Sequence, residues 1–160
     1  MKHLPKHLQP RWRYLGVGIE AWPDADLTRG AFQRELWFAA QNLLGDVGSA
    51  DADLTVLGFR FGGGVGETVV RARRGHADEA RAALACVDDV GGDPIGVRVR
   101  GVSGTVRACE ERYLGGRAGH SGKRNVAFED ADRTAYSRDG ALDVRLPSGF
   151  AGATQLDFEP

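Results

Sequence analysis

Residues 12–115 of this 160-residue chain are expected to fold as a two-layer α+β sandwich. Three observations predict it. Apolar residues recur with periods that follow the order β-α-β-β-α-β, glycine-rich breaks separate the segments, and 42% apolar content suffices for one core.

The first strand runs from Trp12 to Ala21, where Leu15, Val17 and Ile19 alternate with Tyr14, Gly16, Gly18 and Glu20. Trp22-Pro23-Asp24 ends it. Thr28 is placed to cap a helix of about 16 residues, with Phe32, Leu36, Ala40 and Leu43 at helical spacing and Gly45 just past its end. Trp37 and Leu44 widen that apolar stripe. Leu54 to Phe61 is the second strand, with Leu57, Phe59 and Phe61 on one face, and Thr68 to Arg74 is the third. The glycines between them, Gly62 to Gly66, supply a hairpin turn. His76 to Val87 is a second helix with Ala77, Ala80, Leu84 and Val87 inward, closed by Gly91-Gly92-Asp93-Pro94. In the fourth strand Ile95, Val97 and Val99 alternate with Gly96, Arg98 and Arg100, and a third helix spans Gly104 to Leu114.

Split βαβ units of this kind close into a four-stranded antiparallel sheet with two helices on one face. The expected fold is therefore the ferredoxin-like (RRM-like) sandwich, with an extra helix after strand 4. Residues 1–13 read as a basic N-terminal arm, 12–115 as the ferredoxin-like domain, and 116–160 as a flexible, polar and acidic C-terminal extension. Gly115-Gly116 through Asn125 reads as a linker, and Asp139-Gly140 is a weak hairpin signal.

With 21 basic and 22 acidic side chains the net charge is −1, so no global basic field marks a polyanion partner. The average hides a skew. Residues 1–124 hold 18 basic against 15 acidic side chains, whereas residues 125–160 hold 3 against 7. No run of apolar residues is long enough for a membrane span, and Met1 to Arg13 has no signal-peptide core, so a cytoplasmic location without membrane contact is expected. Cys86 and Cys109 form no CxxC pair and read as small buried hydrophobes. Lysine is nearly absent beside arginine, and aspartate exceeds glutamate, a bias that fits a GC-rich genome or a salty cytoplasm.

Catalytic machinery is hard to find. Gly101-Val102-Ser103-Gly104-Thr105 resembles a nucleophile elbow, but Thr105 stands where the last small residue belongs. Gly62 to Gly66 lacks a Walker lysine and joins two strands. His3 and His7 sit four apart with Pro5 between them, against the helix that would align a metal pair. Asp88-Asp89 and Glu110-Glu111 are adjacent and diverge in direction. No catalytic residue and no metal site is assigned.

What the alternation sends away from the helices is more informative. That face of the sheet carries Tyr14, Gly16, Gly18 and two Arg-x-Arg pairs, Arg71/Arg73 and Arg98/Arg100. Guanidinium forks match phosphate geometry, so an RNA backbone or an acidic protein surface suits this face. The competing structural reading is that these arginines keep the sheet soluble or pair with Glu20 and Glu67. The third strand has no aromatic ring for base stacking, so backbone recognition fits better. Ser103-Gly104-Thr105 at a helix start, bracketed by Arg100 and Arg107, is a second candidate anion site; a plain N-cap by Ser103 accounts for it equally.

The segments MKHLPKHLQPRWRYL, FQRELWFAAQNLLGDVGSADADLTVL and VRVRGVSGTVRACEERYL together resemble archaeal ribonuclease P protein component 2, the Pop5-like family, in a halophilic version. The resemblance covers about residues 1–115. It implies a ferredoxin-like fold and a non-catalytic subunit of an endoribonuclease that removes 5′ leaders from precursor tRNA. It also implies that catalysis and its magnesium ions belong to the RNA subunit, with no cofactor on this chain. The implied partners are ribonuclease P RNA, precursor tRNA through the holoenzyme, and ribonuclease P protein component 3 in a heterotetramer of two copies each. Mapped onto this chain, the RNA-contact candidates are Lys2, Lys6, Arg11, Arg13, Arg71, Arg73, Arg98, Arg100, Ser103, Thr105 and Arg107. Trp37 and Leu44 are the candidates for the protein partner. The third helix, through Val106, Cys109 and Tyr113, could cross the open sheet and hide some of those arginines.

Two other classes compete. A ferredoxin-like regulatory module would bind a small molecule near its glycine turns. An autonomous nuclease would cleave precursor tRNA with no RNA subunit present.

Overall fold

The computed structural model describes residues 4–115, 122–138 and 141–153. A 3₁₀ turn at Lys6–Leu8 leads into β1 (Trp12–Ala21), α1 (Arg29–Ala52), β2 (Thr55–Gly62), β3 (Val65–Arg73), α2 (Ala77–Ala85), β4 (Asp89–Val90), β5 (Asp93–Ser103) and α3 (Val106–Tyr113). The strands form one antiparallel sheet in the order β2-β3-β1-β5-β4. The expected four-stranded sheet is thus present, with β5 as its fourth long strand and the two-residue β4 added at the edge.

Burial follows the alternation of β1. Leu15, Val17 and Ile19 meet Phe32, Leu36 and Ala40 of α1 and Ala80, Ala83 and Leu84 of α2 in one core. Thr28 caps α1, its Oγ1 accepting from the Ala31 N–H at 3.2 Å. Helix α1 is longer than expected, because it resumes after a kink at Gly45 (φ 74°, ψ 175°) and ends only at Ala52. At the C-terminal end of the stripe Leu44 packs on the core while Leu43 is exposed.

Two register shifts rearrange the expected faces. Between Val56 and Phe59 a bulge in β2 lets Val56, Phe59 and Phe61 all pack on the core, and Leu57 leaves the face it was assigned. The second shift lies opposite Gly16 and Val17, which pair with Gly101 and Val99, so Arg100 is the extra residue of β5. Helix α2 stops at Ala85, which leaves Cys86 exposed rather than buried; Cys109 in α3 is buried as expected.

The C-terminal segment departs most from expectation. Instead of a flexible extension, four strands, β6 (Gly122–Phe128), β7 (Ala131–Arg138), β8 (Ala141–Leu146) and β9 (Gly149–Ala153), pair in order as a second antiparallel sheet. Small apolar residues hide the signal: Ala135, Leu142, Val144 and Ala153 form its buried cluster, with Val126 and Phe128 beside them. The β6–β7 turn uses Glu129 and Asp130, both at positive φ (51° and 59°), rather than a glycine pair. Strands β7 and β8 pair as far as Arg138 and Ala141, a hairpin closing where Asp139-Gly140 suggested it; those two residues lie outside the described ones, as do residues 116–121 of the expected linker.

This second sheet docks on the end of β1. Tyr136 packs on Trp22 with ring centroids 5.2 Å apart, and Arg145 reaches Asp24 at 3.2 Å. Trp22 is thereby 1% exposed.

Candidate nucleic-acid interface

The face of the main sheet opposite α1 and α2 is where the arginines were expected to stand free. Helix α3 crosses it, packing against β1 and β5. Glycine is what admits it. A Cβ on Gly16 would come within 2.6 Å of Tyr113 Cβ, and one on Gly101 would collide with the Tyr113 ring. The glycine floor of this face is therefore the seat of Tyr113, not an open platform.

Arg100 is the clearest correction. Bulged out of β5, it lies over Gly18, where a Cβ would meet its Nη2 at 2.8 Å. Nη1 donates to the Tyr113 carbonyl at 2.8 Å and faces Glu67 Oε1 at 3.5 Å, with the side chain only 16% exposed. Glu67 also accepts the Gly115 N–H at 2.6 Å. The structural reading of this arginine, an internal pair with Glu67, is the one the geometry supports.

The remaining candidates divide by exposure. Arg71 is half-buried, its guanidinium carbon 4.0 Å from the centroid of the Trp12 ring and its Nε buried without a hydrogen bond. Arg73 is exposed, 5.4 Å from the same ring, and pairs with Asp53 at 3.8 Å. Trp12 is thus an aromatic surface on this face, supplied by β1 and not by the third strand. Arg98 is exposed on β5. Ser103 is buried, its Oγ without a partner, and it does not cap α3. Thr105 does, accepting from the Ala108 N–H at 3.2 Å, because Ser103 is still in the strand and the helix begins only at Val106. Arg107 is exposed and pairs with Glu111 one turn on at 2.9 Å. Lys6 and Arg11 are exposed, whereas Lys2 and His3 lie outside the described residues. The arm is not wholly free: the Arg11 carbonyl accepts the Arg74 N–H at 2.9 Å and extends the β1–β3 ladder.

Arg13 falls on the opposite side from Tyr14 and lines a groove of about 620 Å³ with Arg74, Asp78, Arg81 and Val102. Its Nη1 lies 3.8 Å from where a Cβ of Gly104 would stand, so the groove reaches the start of α3. Arg74 and Arg81 were not among the sequence candidates. Neither alternates with an apolar strand position, and only the fold brings them to Arg13.

On α1, Trp37 is 50% exposed with its indole Nε1 donating to the Leu54 carbonyl at 2.8 Å. Leu44 instead packs on the core. Phe38, Leu43 and Val47 are the other exposed large apolar residues of α1, and of these Phe38 lines one recess with Trp37.

Burial, with Glu110 adding to it, holds the Cys109 thiol up at about 11, against an ordinary 9.0. Among the described residues no group of three or more His, Cys, Asp or Glu could hold a metal ion, and no helix is long and apolar enough to cross a membrane.

A family model described as Rpp14/Pop5 matches residues 13–114, which is the main sheet with its three helices. The chain belongs to the Rpp14/Pop5 family. Among its relatives in that family, a protein of Halorubrum lacusprofundi is 64% identical over 159 residues, 99% of this chain and all of its own length. Others from Natronomonas pharaonis and Haloarcula marismortui are 62% and 59% identical, each over 99% of this chain and 98% and 99% of their own. All three are named Ribonuclease P protein component 2. The second sheet lies outside the Rpp14/Pop5 match but inside these full-length alignments.

Proposed function

We propose that this chain is a protein subunit of ribonuclease P that binds and stabilises the catalytic RNA, while the RNA and its magnesium ions cleave the 5′ leader from precursor tRNA. The carrying observation is 64% identity, end to end, with a protein named Ribonuclease P protein component 2. Exposed cations support an RNA-binding role. Lys6, Arg11, Arg73, Arg98 and Arg107 all reach solvent and can neutralise phosphates that packed RNA helices force together. Thr105, exposed at the start of α3, lies two residues before Arg107.

The exposed stripe of α1 around Trp37 suits component 3. An indole pinned by its own hydrogen bond, with Phe38 beside it, is a low-entropy anchor for a protein interface. Two copies of each protein in one assembly, in the cytoplasm, complete the reading.

Reconstitution tests it. The purified chain is combined with component 3 and the ribonuclease P RNA of Halorubrum lacusprofundi, and release of the 5′ leader is followed. Cleavage should require the RNA and rise when this chain is added. Sustained cleavage by this chain without the RNA overturns the proposal, as does RNA-driven cleavage indifferent to its presence.

A further inference from the structure

The arginines on the sheet face are largely spoken for. Arg100 and Arg60 share Glu67, Arg73 has Asp53, and Arg107 has Glu111. The groove on the other side differs. Arg13, Arg74 and Arg81 line it, none of them in an ion pair with a described residue, and Asp78 is the one carboxylate in the lining. Arg13 gives one hydrogen bond to the Trp12 carbonyl at 3.3 Å, and its other donors have no partner among the described residues.

Backbone geometry fixes the groove. The Arg74 N–H is tied to the Arg11 carbonyl, and Gly75, at φ 91°, turns the chain from β3 into α2. The first turn of α2 opens into the same groove, since Ala77 and Asp78 line it. His76 stands at the N-cap position but gives no side-chain cap; its Nδ1 lies instead 2.8 Å from Glu79 Oε2. The N-terminal end of α2, with the positive end of its dipole, therefore borders the groove that the guanidiniums line. Three forked cations and an uncapped helix start in one recess suit a run of phosphates better than a single carboxylate.

Resting on the RNA-binding reading above, we infer that this groove is the track of an RNA backbone, with Arg13, Arg74 and Arg81 as its phosphate contacts. Asp78 opposes the strand it carries. The sheet face behind α3 then contributes less than the groove does.

The test uses the full chain and the ribonuclease P RNA of Halorubrum lacusprofundi as probe, with affinity measured across a series of KCl concentrations. Each phosphate contact contributes about 0.7–0.9 to the slope of log affinity against log salt. R13Q/R74Q/R81Q should flatten the wild-type slope by about 2–3, with an unchanged circular-dichroism spectrum. D78N removes the opposing charge without touching a cation, and should tighten binding about 2- to 5-fold, the range of one surface charge pair. A triple variant that folds and keeps the wild-type slope overturns the groove, as does a slope lost only in R98Q/R107Q. So does D78N binding no tighter than wild type, whatever becomes of the triple variant. Failure of the wild type itself to bind this RNA in a salt-dependent way defeats the RNA-binding reading as a whole, a result distinct from the others.

Discussion

Arg100 Nη1 donates to the carbonyl of Tyr113 at 2.8 Å, tying the bulge of β5 to the end of α3. That bond converts a strand arginine from a surface charge into a clasp. Arg100→Ala should lower stability by about 1.5–3 kcal/mol, as expected for a hydrogen bond from a charged donor. It also strips Glu67, itself 11% exposed, of a nearby cation. Urea unfolding measures the loss; an unchanged midpoint means the clasp carries no load.

The two glycines beneath Tyr113 make a matched prediction. Gly16→Ala and Gly101→Ala each place a methyl group where Tyr113 already stands. Overpacking of this kind costs about 1–3 kcal/mol, and here it should be absorbed by lifting α3 from the sheet. Hydrogen exchange of the α3 amides should accelerate in both variants. Protection retained in both would show that Tyr113 gives way without disturbing the helix.

Docking of the second sheet can be read from one indole. With Trp12 and Trp37 replaced by Phe, Trp22 alone reports, and it is 1% exposed under Tyr136. Tyr136→Ala should shift the emission to the red and lower stability by about 3–5 kcal/mol, the usual cost of deleting a buried aromatic ring. Unmoved emission would mean the corner of β1 shields Trp22 by itself.

The two thiols should separate under alkylation. Cys109 is buried and its thiol is held at about 11, so it stays protonated and unreactive near neutral pH. Cys86 is exposed and should react with iodoacetamide in the native protein. A raised folded-state value means the folded state keeps its proton longer than the unfolded one. Stability from this site is therefore whole below about 9 and declines as pH rises from there to about 11. Mass spectrometry of native and urea-treated protein checks the labelling, and a pH series of unfolding midpoints checks the sign.

The sandwich was legible because its strands and helices are amphipathic with the right period: Leu15, Val17 and Ile19 announce one face, and Phe32, Leu36 and Ala40 announce the stripe that covers it. What escaped was anything that depends on register. Strict alternation sends Arg100 to an open face, but the bulge opposite Gly16 and Val17 drops it over Gly18 within reach of Tyr113. The groove of Arg13, Arg74 and Arg81 joins residues from a strand, a turn and a helix, and no periodicity links those three. The second sheet was missed for a compositional reason: alanines carry much of its interior, and Glu129-Asp130 makes a turn that no glycine advertises.

The extra residue in β5 also decides which deletion this strand can accept. Upstream of Arg100, Val97 and Val99 point to the core; downstream, Val102 does, and the parity has changed by one. Losing Arg100 alone would restore plain pairing, with Gly101 still opposite Gly16 and Val102 still opposite Leu15. Losing Gly101 instead would set Arg100 opposite Gly16, where Tyr113 leaves no room even for a Cβ. The clasp from Arg100 to the Tyr113 carbonyl is thus carried by the one residue of β5 that the sheet could shed without a change of register.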